Sequence, residues 1–194
     1  MKSKRLLLAL AVTLSLFFAR SAEAGDLFKF DPAHSTIAFK VRHFLGTAKG
    51  KFTKFSGTID VDRDHPEKSS VTATIQAASI DTAIAKRDEH LRGEDFFNVQ
   101  KFPEITFKSR RVKQTGPNTG DIIGDLTMHG VTRTIILHAQ LLGAAEDQTS
   151  RWRITTAPIK RSEFGLAWSK SVEAVSMIGD DVAVDIQIEA VTIR

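Results

Sequence analysis

Apolar and polar residues alternate with a period of two along most of this chain, the mark of strands that bury one face. Ile37, Phe39 and Val41 fall on one face, and Lys40 and Arg42 on the other. Phe55, Gly57, Ile59 and Val61 alternate with Ser56, Thr58 and Asp60. Val71, Ala73, Ile75 and Ala77 oppose Thr72, Thr74 and Gln76. The pattern returns around Ile105 and Phe107, over Ile122–Met128 and Ile135–Leu141, around Trp152 and Ile154, and over Val182–Ile188. Turn signals separate these runs at Asp64-His65-Pro66, Thr115-Gly116-Pro117-Asn118, His129-Gly130 and Gly179-Asp180. About eight short strands with one wet face predict an all-β, antiparallel sandwich or barrel.

One segment breaks the period. Residues 86–103 read KRDEHLRGEDFFNVQKFP. A short helix is expected over 82–92, capped by Asp81 or Thr82, with Ile84 and Leu91 on one stripe. Gly93 is placed to end it in the left-handed conformation that glycine tolerates. Asp88 and Arg92, four apart with the acid first, suit a helical ion pair. Leu91, Phe96 and Phe97 are expected to pack on the strands. Arg87 and His90 share a neighbouring face, suited either to an anionic group or to water.

The charged cluster invites a catalytic or metal reading, which the spacing does not sustain. The six histidines include no HxH pair and no His-Glu-x-x-His helix. There is no Gly-x-Ser-x-Gly elbow and no phosphate-cradling loop, and the paired carboxylates sit in turn sequences. Nothing calls for a metal, a cofactor or catalytic residues. The inward strand faces mix large residues with Gly57, Ala73, Gly124 and Ala139. An eight-stranded barrel is wide enough either to fill itself or to hold one slim ligand, and the sequence leaves both open.

The N-terminus changes the charge picture. MKSKR is followed by fourteen uncharged residues, LLLALAVTLSLFFA, and then by Ser21-Ala22-Glu23-Ala24. Basic, apolar, then small is the order of a secretory signal peptide. The apolar run is short of the roughly 20 residues a membrane helix needs. A signal peptide over 1–24, cleaved after Ala24, and one periplasmic domain over 25–194 are therefore expected. No stable transmembrane segment is expected in the mature chain. The whole chain has 27 basic and 23 acidic residues; removing four basic residues and Glu23 leaves 23 against 22. Such a balance gives no support for a nucleic-acid partner. The chain has no cysteine, so neither disulfides nor a lipoprotein anchor are available, and an apolar core must hold the fold.

Several stretches together resemble the YceI-like family: FDPAHSTIAFKVRH at 30–43, GKFTKFSGTIDVD at 50–62, residues 79–109, GDLTMHGVTR at 124–133 and IKRSEFGL at 159–166. They stand in the family's order and cover nearly all of the mature chain. Met128 replaces the Ile or Val more usual there. The resemblance implies a lipocalin-like antiparallel barrel with one short helix between strands. It also implies an exported protein that holds a polyisoprenoid, an isoprenoid quinone or a related lipid in an apolar tunnel, without turnover. An enzyme acting on a lipid or quinone in the same pocket, a hydrolase or isomerase, is the alternative. The expected lining is Phe39, Val41, Phe55, Ile59, Ile75, Phe107, Leu126, Leu137 and Trp168. Arg87, His90 and Arg161 are the candidates for a polar head group. Homodimerisation through an exposed strand edge is left open.

Overall fold

The computed structural model describes residues 26–43, 46–145, 149–167 and 178–193. The expected signal peptide and Trp168 lie outside them. The strands are β1 (Asp26–Phe30), β2 (Thr36–His43), β3 (Gly46–Phe52), β4 (Phe55–Val61), β5 (Ser70–Gln76) and β6 (Ile80–Asp81). After helix α1 (Ala85–Arg92) come β7 (Glu104–Gly116), β8 (Thr119–Met128), β9 (Val131–Ala144), β10 (Thr149–Thr156), β11 (Ile159–Lys160) and β12 (Ile178–Thr192).

All pairings are antiparallel, and they close a ring. β12 is long enough to serve two neighbours. Its first half pairs β2 (Ile186 opposite Ile37) and its last residues pair β1 (Ala190 opposite Phe30). β1 and β2 thus form one interrupted stave, and β3 and β4 form the next. With β5, β7, β8, β9, β10 and β12 the barrel has the eight staves that the alternation predicts. The interruption at 31–35 follows from Asp31-Pro32. Proline has no N–H for the ladder, and the Asp31 carboxylate instead accepts from the Ala33 N–H at 2.9 Å.

The strand periodicity missed β1, which is only five residues long, and β3, whose sequence GTAKGKF is poor in large apolar residues. Pro117-Asn118 and His129-Gly130 are hairpin turns as read. His129 and Gly130 both have positive φ, +52° and +75°, as a two-residue type I′ turn requires. Gly179-Asp180 is not a turn. It lies inside β12, where the register with β2 shifts between Ile178 and Val182, so it forms a bulge.

The glycines on the inner face are occupied by rings from neighbouring staves. A Cβ on Gly57 would stand 2.3 Å from the Phe30 ring, and one on Gly124 would stand 2.5 Å from the Phe107 ring. At these levels small and large residues interlock.

The chain from Ala77 to Pro103 leaves the ladder and returns to it, its neck held by the Ala77 N–H donating to the Pro103 carbonyl at 2.8 Å. β5 is short beside β7, and this excursion carries β6 and α1 to the edge of β3. Phe96 and Phe97 are buried as expected, and Phe97 meets Phe52 edge-on at 6.0 Å between centroids. The helix itself departs from expectation. It starts at Ala85 with no side-chain cap, Ile84 is 52% exposed, and Gly93 has φ −68°, so it ends the helix without the left-handed conformation. Asp88 does not pair with Arg92. Asp88 turns instead to the N–H of the buried Thr82, and Arg92 to the carbonyls of Ala78 and the buried Ile80, because backbone outside the ladder needs partners.

Candidate functional site: an apolar cavity along the barrel

The barrel encloses a cavity of about 680 Å³. Its wall is drawn from the inward alternation of every stave. Phe39 and Val41 on β2, Ile59 on β4, Ile75 on β5, Phe107 on β7, Leu126 on β8 and Leu137 on β9 all line it. Phe55 does not. It is buried at the start of β4, opposite Ile75, at the break in its stave. Ile122, Ile135, Trp152, Ile154, Val184 and Ile186 also line the cavity. They carry the same alternation signal and follow from it equally well. Trp152 turns its indole N–H to the Ser150 hydroxyl at 3.0 Å, which satisfies its one donor while the residue lines the cavity.

The cavity runs the length of the barrel. At one end it reaches α1 and the 3₁₀ turn Arg161–Phe164; at the other it reaches Arg63, Pro66 and the β7–β8 hairpin at Pro117 and Asn118. Polar residues enter the lining chiefly at these ends, where Asp62, Ser69, Gln114 and Thr119 join Arg63 and Asn118.

Arg87, His90 and Arg161 all stand on the cavity lining at the α1 end. Arg161 is 5% exposed, and its guanidinium donates to the carbonyls of Gly179 (3.0 Å), Leu166 (2.7 Å) and Ile178 (3.3 Å). It thereby satisfies carbonyls beside the β12 bulge. Asp180 in that bulge accepts from the Ser162 N–H and hydroxyl at 2.9 and 2.8 Å. Arg87 donates to the Thr82 hydroxyl and carbonyl at 2.8 and 2.9 Å. The buried Asp88 carboxylate accepts from the Thr82 N–H at 2.9 Å and from its hydroxyl. Arg92 donates to the carbonyls of Ala78 and Ile80 at 2.7 and 2.6 Å. Arg87, Asp88 and Arg92 of the charged cluster are therefore struts that hold irregular backbone against the barrel. His90 is exposed at the same end.

A second polar group stands away from the cavity lining. Asp31, His34 and Glu189 bring ligand-type atoms within 4.8 Å of one another. His34 Nδ1 lies 2.7 Å from the Asp31 carboxylate and 3.8 Å from Glu189. The hydrogen bond to His34 holds the Asp31 carboxyl below its ordinary range, and the same bond raises the His34 imidazole. The group ties the β1–β2 interruption to β12.

A closed antiparallel barrel of eight staves around an apolar cavity is a lipocalin-like fold. The YceI-like domain profile matches residues 28–190, and the chain belongs to that family. A UPF0312 protein of Pseudomonas aeruginosa is 39% identical over 170 residues, covering 84% of this chain and 87% of that protein. The Campylobacter jejuni YCEI protein superposes with a TM-score of 0.66 at 33% identity, over 84% of this chain and 96% of that one. A polyisoprenoid binding domain from Saccharophagus degradans shares the fold, with a TM-score of 0.67 at 17% identity over 86% and 98% of the two chains. No helix among the described residues is long and apolar enough to cross a membrane.

Proposed function

We propose that this chain is an exported periplasmic protein that carries or stores one long-chain hydrophobic molecule, a polyisoprenoid, an isoprenoid quinone or a related lipid, along the barrel axis and without turnover. The observation that carries this reading is the continuous apolar cavity of about 680 Å³, which reaches from one end of the barrel to the other. Such a shape suits a slim chain better than a compact ligand. Apolar burial supplies the affinity, at about 25 cal/mol per Å² before ordering costs. The shared fold with a polyisoprenoid binding domain supports the ligand class, and the basic-apolar-small N-terminus supports export. Binding without turnover fits a lining whose arginines are engaged with backbone and neighbouring side chains. In this reading a polar head at the α1 end would meet Arg87 and His90, which border the cavity there.

Native mass spectrometry of the exported protein, paired with organic extraction, tests the reading. A bound species of lipid mass that partitions into the solvent is expected. A protein with no bound lipid, which also fails to bind added polyprenyl compounds, would overturn it.

A further inference from the structure

From Pro32 to Ile59 the chain holds five lysines and arginines and no acidic residue, although the protein as a whole has 23 acids. The fold gathers four of these cations on one surface. Lys40 and Arg42 leave the outer face of β2, and Lys49 and Lys51 leave the outer face of β3; all four are exposed. Register sets Lys40 directly opposite Lys49, a like-charge pair that costs the sheet stability. Among the described residues none of the four makes an ion pair. The acid opposite Lys51 is Asp81, and its Oδ1 accepts from the Ala83 N–H at 2.8 Å.

The other walls are arranged differently. Lys108 stands opposite Asp125, Lys113 opposite Asp121 and Arg151 opposite Glu189. Opposite charges are matched there and like charges are gathered on β2–β3. The position matters as much as the sign. The inner faces of the same two strands, through Val41, His43 and Ala48, line the cavity at the α1 end. Between Lys49 and Lys51, Gly50 lies so near Thr82 that a Cβ would stand 2.9 Å from its methyl group, and Thr82 is the residue held by Arg87.

We propose that the outer face of β2–β3 docks the barrel on an anionic phospholipid surface, so that the α1 end of the cavity opens beside the membrane. A patch of lysine-rich, unpaired charge on a nearly neutral protein suits a diffuse field of lipid phosphates, which rewards each nearby cation without demanding fixed geometry. The purpose of such docking rests on the lipid-carrying reading, but the docking itself does not.

The test is co-sedimentation of the mature protein with phosphatidylcholine vesicles, with and without phosphatidylglycerol. Binding only to the anionic vesicles, weakened by salt, is expected. Lys40→Gln/Lys49→Gln is expected to bind about 25-fold more weakly, at about fivefold per cation removed. Lys108→Gln/Lys113→Gln, which removes the same net charge from another wall, is expected to bind as the native protein does. Equal binding to both vesicle types, no binding to either (whatever acidic protein the face then retains) or equal losses in the two double variants would each overturn the proposal. Native mass spectrometry of the same proteins without vesicles separates the two ideas. Absence of cargo in all of them counts against the carrying function and leaves the vesicle result standing.

Discussion

Two walls of this barrel are built on different terms. The β7–β9 wall is made of long strands whose inward residues, such as Ile122, Leu126 and Leu137, face a hollow. The wall beside β3 is completed by the excursion from Ala77 to Pro103, where aromatic rings interlock and buried charges hold the backbone. The first wall spends its apolar residues on a space for something else. The second borders the same space through Phe52, Phe96 and Phe97, but packs those rings against one another. A charged cluster in the second wall therefore reads as chemistry in the sequence and acts as carpentry in the fold.

Truncations on the two sides should separate them most. Phe97→Ala is expected to lower unfolding stability by about 3–4 kcal/mol, since its buried ring, although it borders the cavity, packs on Phe52 and Phe96. Leu137→Ala faces a cavity that already exists and is expected to cost about 1–2 kcal/mol from lost transfer energy alone. Equal costs in urea unfolding would break the contrast. Arg161→Leu leaves three carbonyls without their donor and is expected to cost about 3 kcal/mol, with the loss seen in thermal unfolding of the cargo-free protein. Within the helix, Asp88→Ala is expected to cost about 2 kcal/mol by leaving the Thr82 N–H unpaired, and the exposed Glu89→Ala to stay within about 0.5 kcal/mol. If Glu89 mattered as much as Asp88, the struts would not be the reason the cluster is charged.

Filling the hollow should act on binding rather than on folding. Ile135→Trp is expected to weaken retention of a polyprenyl ligand by about tenfold or more and to change stability by about 1 kcal/mol at most. The smallest effect is expected at the β1–β2 interruption. The raised His34 value contributes stability below its ordinary titration range and loses it as pH rises through the raised value; the lowered Asp31 value contributes above its ordinary range and loses it as pH falls through the lowered one. The difference in thermal midpoint between the native protein and His34→Ala should thus be largest at about pH 4 to 6.5 and smaller at either extreme.

The inward strand faces were legible in the sequence because a strand's own period declares which residues turn inward. Across the staves, seven of the residues expected to line the cavity do so: Phe39, Val41, Ile59, Ile75, Phe107, Leu126 and Leu137. Phe55 carries the same alternation but begins its strand at a stave break, which the period does not reveal. β3 was unreadable for the opposite reason. Its inward residues are Ala48, Gly50 and Phe52, too small a set to announce a face, and Gly50 is small because the Phe39 ring takes the space. The helix boundaries failed where Asp88, expected to pair along the helix, reached back to Thr82 instead. A local rule cannot see that the backbone ahead of the helix is buried.

By itself the sequence determined the class of the fold, the number of staves and the inward set of most strands, because these follow from local periodicity and turn chemistry. Only the tertiary structure decided whether the barrel is hollow. Gly57 is filled by Phe30 and Gly124 by Phe107, while Leu137 and Ile135 look into open space, and these residue types alone do not tell the cases apart. Filling depends on which side chain arrives from a neighbouring stave at the same level, and that is set by ladder register and ring closure, which no single strand encodes.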